Sequence, residues 1–303
     1  MLQIKKVLYP TDLSMSAEAA FPHAALIARH FGAQLHAVYA QHDEDPEDLS
    51  KARLLPWSAD SEVPLDITEV HLEASTPAEG ILNYAAEEDI DLIVMGTQGK
   101  RGLRKLIMGS VAQRVVRGAK CPVLTVARDW SETESHDVKR LLVPIDFSVR
   151  SEGALKHAAA LAEAYDAKVD IVHAIDVPSL PNPYHAGLVW TDPLPQIRVR
   201  TNEALRELAS KHLSKDRIGE IVAEVGSAAG IILDAADRLK SDLILMSTHG
   251  LTGVKRFALG SVAERVVQNA ACPVFTIKSF GKSLLDPVSS EEVNIKEEGM
   301  AVV

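Results

Sequence analysis

Two glycine-punctuated stretches carry the clearest chemistry in this chain. The first places Gly96, Gly99 and Gly109 in a G-x2-G-x9-G-S pattern ending in Ser110; the second sets Ser247, Gly250, Gly260 and Ser261 at the matching places. Glycine lets a backbone approach a ligand closely. A loop that runs into a helix N-terminus points N–H groups at an anion, so this is chemistry for holding phosphate. Lys100, Arg101, Arg104 and Lys105 lie within the first loop, and Lys255 and Arg256 stand where the second needs Arg104 and Lys105. Ser110 and Ser261 are expected to cap the helices that follow. Glycines also simply make turns, but the spacing occurs twice, each time after a short apolar run and before a helical one. No G-x4-G-K-[ST] occurs, and the glycines follow a late strand, not the first, so neither a Walker loop nor the dinucleotide fingerprint is present. Ser247 in place of the first glycine matters only if that position needs a positive φ.

A carboxylate is the second chemical group. Asp12 ends Pro10-Thr11-Asp12-Leu13-Ser14, and Asp146 ends the twin stretch Pro144-Ile145-Asp146-Phe147-Ser148. Placed beyond the carboxyl ends of parallel strands, each suits a sugar hydroxyl or a base amine. The plainer alternative is that Asp12 caps the helix that follows, and one residue can serve both ends. Other constellations are weaker. His42-Asp43-Glu44-Asp45 reads as a solvated acidic loop. His23 and His157 are repeat equivalents that read as surface or packing residues. His173 falls near a strand end beside the expected base pocket, with Tyr39 in its place in the first half. Cys121 and Cys272 read as small buried core residues, not a redox pair. No nucleophile–base pair or paired carboxylates recur in both halves, so catalysis has little support.

The elements that must position these groups come twice. Residues 107–126 and 258–277 agree at twelve of twenty positions. Asp12 and Asp146 are 134 apart, whereas Gly109 and Gly260 are 151 apart, so the second copy carries a net insertion of 17 residues, placed in the Pro-rich stretch 177–196. Strand-like runs at 4–10, 34–40, 66–74, 91–96 and 121–127 alternate with helical patterns at 16–31, 77–89 and 110–118. The second copy repeats them at 139–145, 168–174, 218–226, 242–247 and 272–278, with helices at 152–165, 228–240 and 261–269. A long amphipathic helix at 196–213 has only a weak counterpart near 46–55. Alternation with nearly uniform apolar strands predicts an α/β fold: two tandem domains, each an open parallel sheet with helices on both faces. The expected domains are 1–128 and 138–280, with a polar linker between them and an acidic tail over 281–303, mobile or acting as a docking arm.

Composition bounds the partners. The chain has 303 residues, 47% of them hydrophobic, and a net charge of −10. That balance argues against a general nucleic-acid binder but not against one small anion in a locally basic loop. No apolar run is long enough to span a bilayer, and the first residues lack the layout of a signal peptide, so a cytoplasmic protein with no membrane partner is expected.

The Asp after the first strand, the G-x2-G-x9-G-[ST] loop and the closing Cys-Pro-Val strand, in that order and twice, closely resemble the universal stress protein family over nearly the whole chain. The resemblance implies a five-stranded parallel sheet of the adenine nucleotide alpha-hydrolase-like, Rossmann-like type, and ATP, with Mg as its accompanying ion, as the cofactor. It places Asp12 and Ala40 beside adenine and ribose, with the backbone of Ala40 reading the base. It places Gly96, Gly99, Gly109, Ser110 and Val111 on ribose and phosphates, and adds Pro10, Thr11 and Met95 to the set. In the second half the matching residues are Asp146, Ala174, Ser247, Gly250, Gly260, Ser261 and Val262. It also implies pairing through the last strand: an internal pseudo-dimer, with homodimerisation and protein partners left open. The function it implies is a nucleotide-dependent sensor or scaffold in the stress response; a slow ATPase or nucleotidyl-transfer enzyme, or an interaction module that binds no nucleotide, are the alternatives.

Overall fold

A computed structural model describes residues 2–41, 54, 65–98, 108–127, 138–176, 194–248, 259–278 and 280–285. The first half runs β1 (Lys6–Pro10), α1 (Met15–Phe31), β2 (Gln34–Gln41), β3 (Ile67–Glu73), α2 (Pro77–Glu87), β4 (Leu92–Gly96), α3 (Ser110–Gly118) and β5 (Val123–Val126). The second runs β6 (Arg140–Pro144), α4 (Val149–Tyr165), β7 (Lys168–Ile175), α5 (Leu194–His212), β8 (Ile218–Val225), α6 (Ala228–Leu239), β9 (Leu243–Ser247), α7 (Ser261–Asn269) and β10 (Val274–Ile277). Every strand and helix expected from the sequence within these residues is present.

Helix boundaries follow local chemistry. Ser14 caps α1 by accepting the Ala17 N–H, and Gly32 ends it at φ 63°. Thr76 and Pro77 open α2, a side-chain acceptor followed by a residue with no N–H to satisfy. α4 ends on Asp166 and α6 on Lys240, both left-handed without being glycine.

The described strands form one ten-stranded sheet in the order β3-β2-β1-β4-β5-β10-β9-β6-β7-β8. Within each half all pairings are parallel. The halves join where β5 meets β10 antiparallel, with Leu124 opposite Phe275. Across this seam the Thr125 hydroxyl donates to Val274 O and the Thr276 hydroxyl to Val123 O. Each half is therefore the expected five-stranded parallel sheet, and their internal pairing through the last strands makes one sheet of two. Helices α1, α4 and α5 cover one face, burying Tyr9, Leu35, Leu92, Leu124, Leu155 and Phe275 in one apolar layer. Helices α2, α3, α6 and α7 cover the other, over Leu8, Ile93, Val115, Ile244 and Val266. On that second face, Gln113 of α3 donates to the Glu264 carboxylate of α7 at 2.5 Å.

Two regions depart from the repeat. α5 lays Leu205 and Ala209, both fully buried, on the sheet. The first half offers Leu54, 1% exposed, with its N–H on the Glu69 carboxylate. Leu54 and Leu205 are 151 apart, the offset of the later repeat positions, and both are buried in the same apolar layer. The segment after β10 lies on the first half. Leu284 is 1% exposed, Gln3 N–H donates to Leu284 O, and Leu2 bridges Leu285 antiparallel. Lys282 pairs with Asp89 and Asp91 at 2.8 and 2.7 Å. Residues 128–137 of the 128–138 linker, most of the insertion and residues 286–303 lie outside the described residues.

Candidate functional site

In each half the chain winds one way through three strands and then crosses to the other side of the first. The reversal falls between β1 and β4, and between β6 and β9. Adjacent parallel strands whose crossovers diverge leave a crevice at their carboxyl ends. Asp12 follows β1 directly, Met95 and Gly96 end β4, and Pro10 pairs with Val38, two residues before Ala40. The Thr11 N–H donates to Val38 O at 2.9 Å, and Ile145 N–H to Val172 O likewise. Asp146, Ala174 and Ser247 thus gather in the second half as Asp12, Ala40 and Gly96 do in the first.

The loops close on themselves in the same way. The Gly109 N–H donates to Thr97 O at 2.8 Å, and Gly260 N–H to Thr248 O at 2.8 Å. Thr97 and Thr248 are in turn held by Val126 O and Ile277 O of the last strands. This brings Gly109, Ser110 and Val111, and Gly260, Ser261 and Val262, back to the strand ends that carry the aspartates. Gly99, Gly250 and the loop cations Lys100, Arg101, Arg104, Lys105, Lys255 and Arg256 lie outside the described residues. Thr97 and Thr248 were legible as a repeated G-T and S-T step, but a threonine inside a glycine motif draws no notice.

The corner after each first strand is built around a strained residue. Leu13 has φ 60° and Phe147 φ 61°, a conformation that costs a bulky side chain of order 1 kcal/mol or more. The Thr11 hydroxyl accepts the Leu13 N–H, and Asp12 Oδ1 accepts the Ser14 N–H at 3.1 Å. Asp146 Oδ1 accepts the Ser148 N–H at 3.0 Å. The expectation that Asp12 itself caps α1 is corrected: the caps are Ser14 and Ser148, and the aspartates accept the N–H of each cap from two residues earlier. The left-handed step at Leu13 and Phe147 moves the helix start two residues downstream.

A second correction concerns the glycine loops. Ser110 and Ser261 do not cap α3 and α7 but are their first helical residues, exposed, because Gly109 and Gly260 take the extended cap conformation (φ −62° and −61°). Neither helix has a side-chain cap bond, whereas α1, α2, α4 and α6 are each capped by a serine or threonine oxygen. The first N–H groups of α3 and α7 therefore have no side-chain acceptor of their own.

Gly96 also serves a different purpose from the one its type suggests. Its φ is not positive, and a Cβ there would lie 2.3 Å from the carbonyl oxygen of Ser16. The space that glycine leaves is filled by the start of α1. Ser16, 3% exposed, accepts the Gln98 N–H at 3.3 Å on its hydroxyl. The sequence gives no sign of Ser16, since Arg150 replaces it in the second copy. Ser247 is half-buried in ordinary strand conformation, so the departure from glycine strains nothing.

The remaining candidates are structural. His23 and His157 are buried rather than on the surface, at 8% and 6% exposure. The His157 Nδ1–H donates to Gly153 O, and burial pulls its pKa below the usual histidine value. His173 Nδ1–H donates to Ile145 O at 2.7 Å, and its ring lies 5.0 Å from that of Phe147. Cys121 and Cys272 are free and buried, and burial pushes both thiols up to about 12. Among the described residues no group of three His, Cys, Asp or Glu gathers to hold a metal ion, and no helix is long and apolar enough to cross a membrane. The His42 cluster lies outside them.

Fold and topology together define a tandem α/β protein with one topological switch point per half. The model of the universal stress protein family matches residues 3–127 and again 137–278, and the chain belongs to that family. It is similar to a universal stress protein of Methanocaldococcus jannaschii, 36% identical over 143 residues, which cover 46% of this chain and 82% of that protein. A putative universal stress protein of Staphylococcus aureus is 31% identical over 142 residues, covering 46% and 84%. Among solved structures, a putative universal stress protein from Pseudomonas aeruginosa matches with TM-score 0.66 at 20% identity over 91% of this chain and 93% of that one. One from Archaeoglobus fulgidus matches with TM-score 0.64 at 20% identity, covering 91% and 99%. Those two structures share the tandem fold.

Proposed function

We propose that the chain is a cytoplasmic ATP-binding protein of the stress response, a nucleotide-dependent sensor or scaffold with one adenine nucleotide site in each half. The observation that carries this reading is the pair of uncapped helix starts. Of the described caps, only those of α3 and α7 lack a side-chain acceptor, and both helices begin where the loop closes on the crevice of the aspartate. Backbone N–H groups with no cap of their own fit phosphate oxygens. The carboxylates of Asp12 and Asp146, acceptors only, fit a ribose hydroxyl or the adenine amine. In this reading Ala40 and Ala174 meet the base; Gly96, Gly99, Gly109, Ser110 and Val111 hold ribose and phosphates; and Ser247, Gly250, Gly260, Ser261 and Val262 do the same in the second half. Pro10, Thr11 and Met95 line the first crevice, and Mg travels with the phosphates.

Mass spectrometry of nucleotide released from the gently purified chain, with its molar ratio, tests the reading. Gly109→Asp makes the test specific. An aspartate at that cap supplies the missing acceptor and stabilises α3 by about 0.5 kcal/mol, while its charge weakens ATP binding at the first site by at least about tenfold. Stability up and affinity down is the expected pairing. Wild-type chain that carries no nucleotide and gives no heat on titration with Mg·ATP overturns the reading.

A further inference from the structure

We propose that Lys278 is a modification site: an amine at the seam between the two halves that takes a small neutral acyl group from an activated acyl donor, a phosphate or a thioester.

Lys278 follows β10 directly, and its repeat equivalent, 151 positions earlier, is Ala127. The side chain crosses from the second half to the first. Its Nζ donates to Arg117 O, in the last turn of α3, at 2.6 Å, and the centroid of the Phe280 ring lies 5.6 Å from it. Lys6, Lys156, Lys211 and Lys282 each hold a carboxylate, at 2.7 to 3.8 Å. Among the described residues no carboxylate reaches Lys278. The charged groups near the end of α3 are engaged elsewhere: the Arg117 guanidinium stands 3.9 Å from the Glu264 carboxylate, and Lys282 is held by Asp89 and Asp91. The acid that acts on Lys278 across the seam is the Cys121 thiol, which burial pushes up to about 12, so it stays neutral. Lys278 is half-buried, with its hydrogen bond to α3 at the surface.

A carbonyl and a ring face carry partial charges, so they hold an ammonium less firmly than a carboxylate does. Desolvation wins here and pulls the Lys278 pKa down to about 8. At about pH 7.5 roughly a quarter of such an amine is neutral, against about one part in a thousand of an ordinary lysine. A desolvated neutral amine is the nucleophile that acyl transfer needs. Its lone pair attacks the acyl carbonyl carbon. The new N–C bond forms as the bond from that carbon to oxygen or sulfur breaks, phosphate or thiolate leaves with the electron pair, and the amine proton passes to solvent. The amide formed is neutral, and its remaining N–H can still donate to Arg117 O. The C-terminal end of α3 carries partial negative charge, so it admits a neutral acyl group and opposes an anionic one such as succinyl. Acylation thus turns a charge-assisted bond across the seam into an ordinary one.

Brief reaction of the full native chain with acetyl phosphate, and separately with acetyl coenzyme A, followed by peptide mass spectrometry, reads this directly. With at least one of the two donors, Lys278 is expected to be acetylated at least about tenfold faster than Lys156 and Lys211 at about pH 7.5, and that donor names the leaving group. Its rate is expected to reach half its maximum near pH 8, whereas theirs still climbs at about pH 10. Succinyl coenzyme A is expected to label Lys278 more slowly than the acetyl thioester does, relative to Lys211. Lys278→Arg keeps the cation on α3 and loses the label, with labelling of the other lysines unchanged and folding checked by circular dichroism. A Lys278 labelled no faster than Lys156 and Lys211 by either donor, one whose rate climbs with theirs to pH 10, or one labelled only in urea overturns the inference. Succinyl transfer as ready as acetyl overturns the choice of a neutral group.

Discussion

A methyl group at Gly96 would lie 2.3 Å from the carbonyl oxygen of Ser16, a backbone atom that cannot rotate away. Gly96→Ala is therefore expected to lower the unfolding free energy by about 1–3 kcal/mol, the range for overfilling a packed site, and to shift the start of α1. Ser247→Gly, which removes a side chain already accommodated, stays within about 1 kcal/mol. Urea titrations of the two variants check both. Among the histidines, burial lowers the pKa of His157, and burial with the nearby Lys6 lowers that of His36. The unfolded chain takes up protons near the ordinary histidine value of 6.5, and the folded chain takes them up only at lower pH. Their contribution is present above about pH 6.5 and lost on acidification, so the Tm falls from pH 7 to 5, more steeply in the wild type than in His157→Gln. At this scale residue type was a good guide to where chemistry lies and a poor guide to why. Glycine and serine in G-S look like loop and cap. The backbone puts the cap on the glycine instead, because that residue takes the extended conformation and leaves serine in the helix.

Elements were far more legible, since apolar spacing and buried strands leave a strong periodic imprint. What escaped is the segment with no period at all. Residues 280–285 carry two leucines, a lysine and a glycine, yet Leu284 is buried and Lys282 reaches Asp91, whose other oxygen accepts the N–H groups of Lys5 and Lys6. Gly281 has φ 103°, and a Cβ there would meet Lys120 O at 2.1 Å. Such a contact is long-range, and no local pattern encodes it. Leu284→Ala is expected to cost about 2–5 kcal/mol, as for other buried leucines, read by chemical denaturation. Truncation after Lys278 is expected to lower the Tm of the first half, although the deleted residues belong to the second; hydrogen exchange at β1 would show it. The weak helical pattern near 46–55 was the other soft point: among the described residues Leu54 answers to Leu205, and a single residue has no period.

At the scale of the molecule, twelve identities in twenty made the duplication plain, and the offset change from 134 to 151 located the insertion. The continuity of the sheet follows from strand edges: β5 and β10 would each expose an unpaired edge if the halves stood apart. The seam also carries a sign. Gln113 and Glu264 are repeat equivalents, and Arg117 stands 3.9 Å from Glu264. Gln113→Glu would set carboxylate against carboxylate across the pseudo-two-fold, so it is expected to destabilise the joined halves by about 1 kcal/mol, with the loss reduced at high salt. Thermal unfolding at two ionic strengths measures it.

Because β5 and β10 run in opposite directions within one sheet, the carboxyl ends of the first five strands point away from those of the last five. The two crevices open at opposite ends of the protein. A bound molecule at one end cannot touch its counterpart, so communication between them must pass along the strands and the two helical layers. A large body that engaged one opening would leave the other uncovered, which gives the chain the polarity of a connector with two outlets rather than of a single cup.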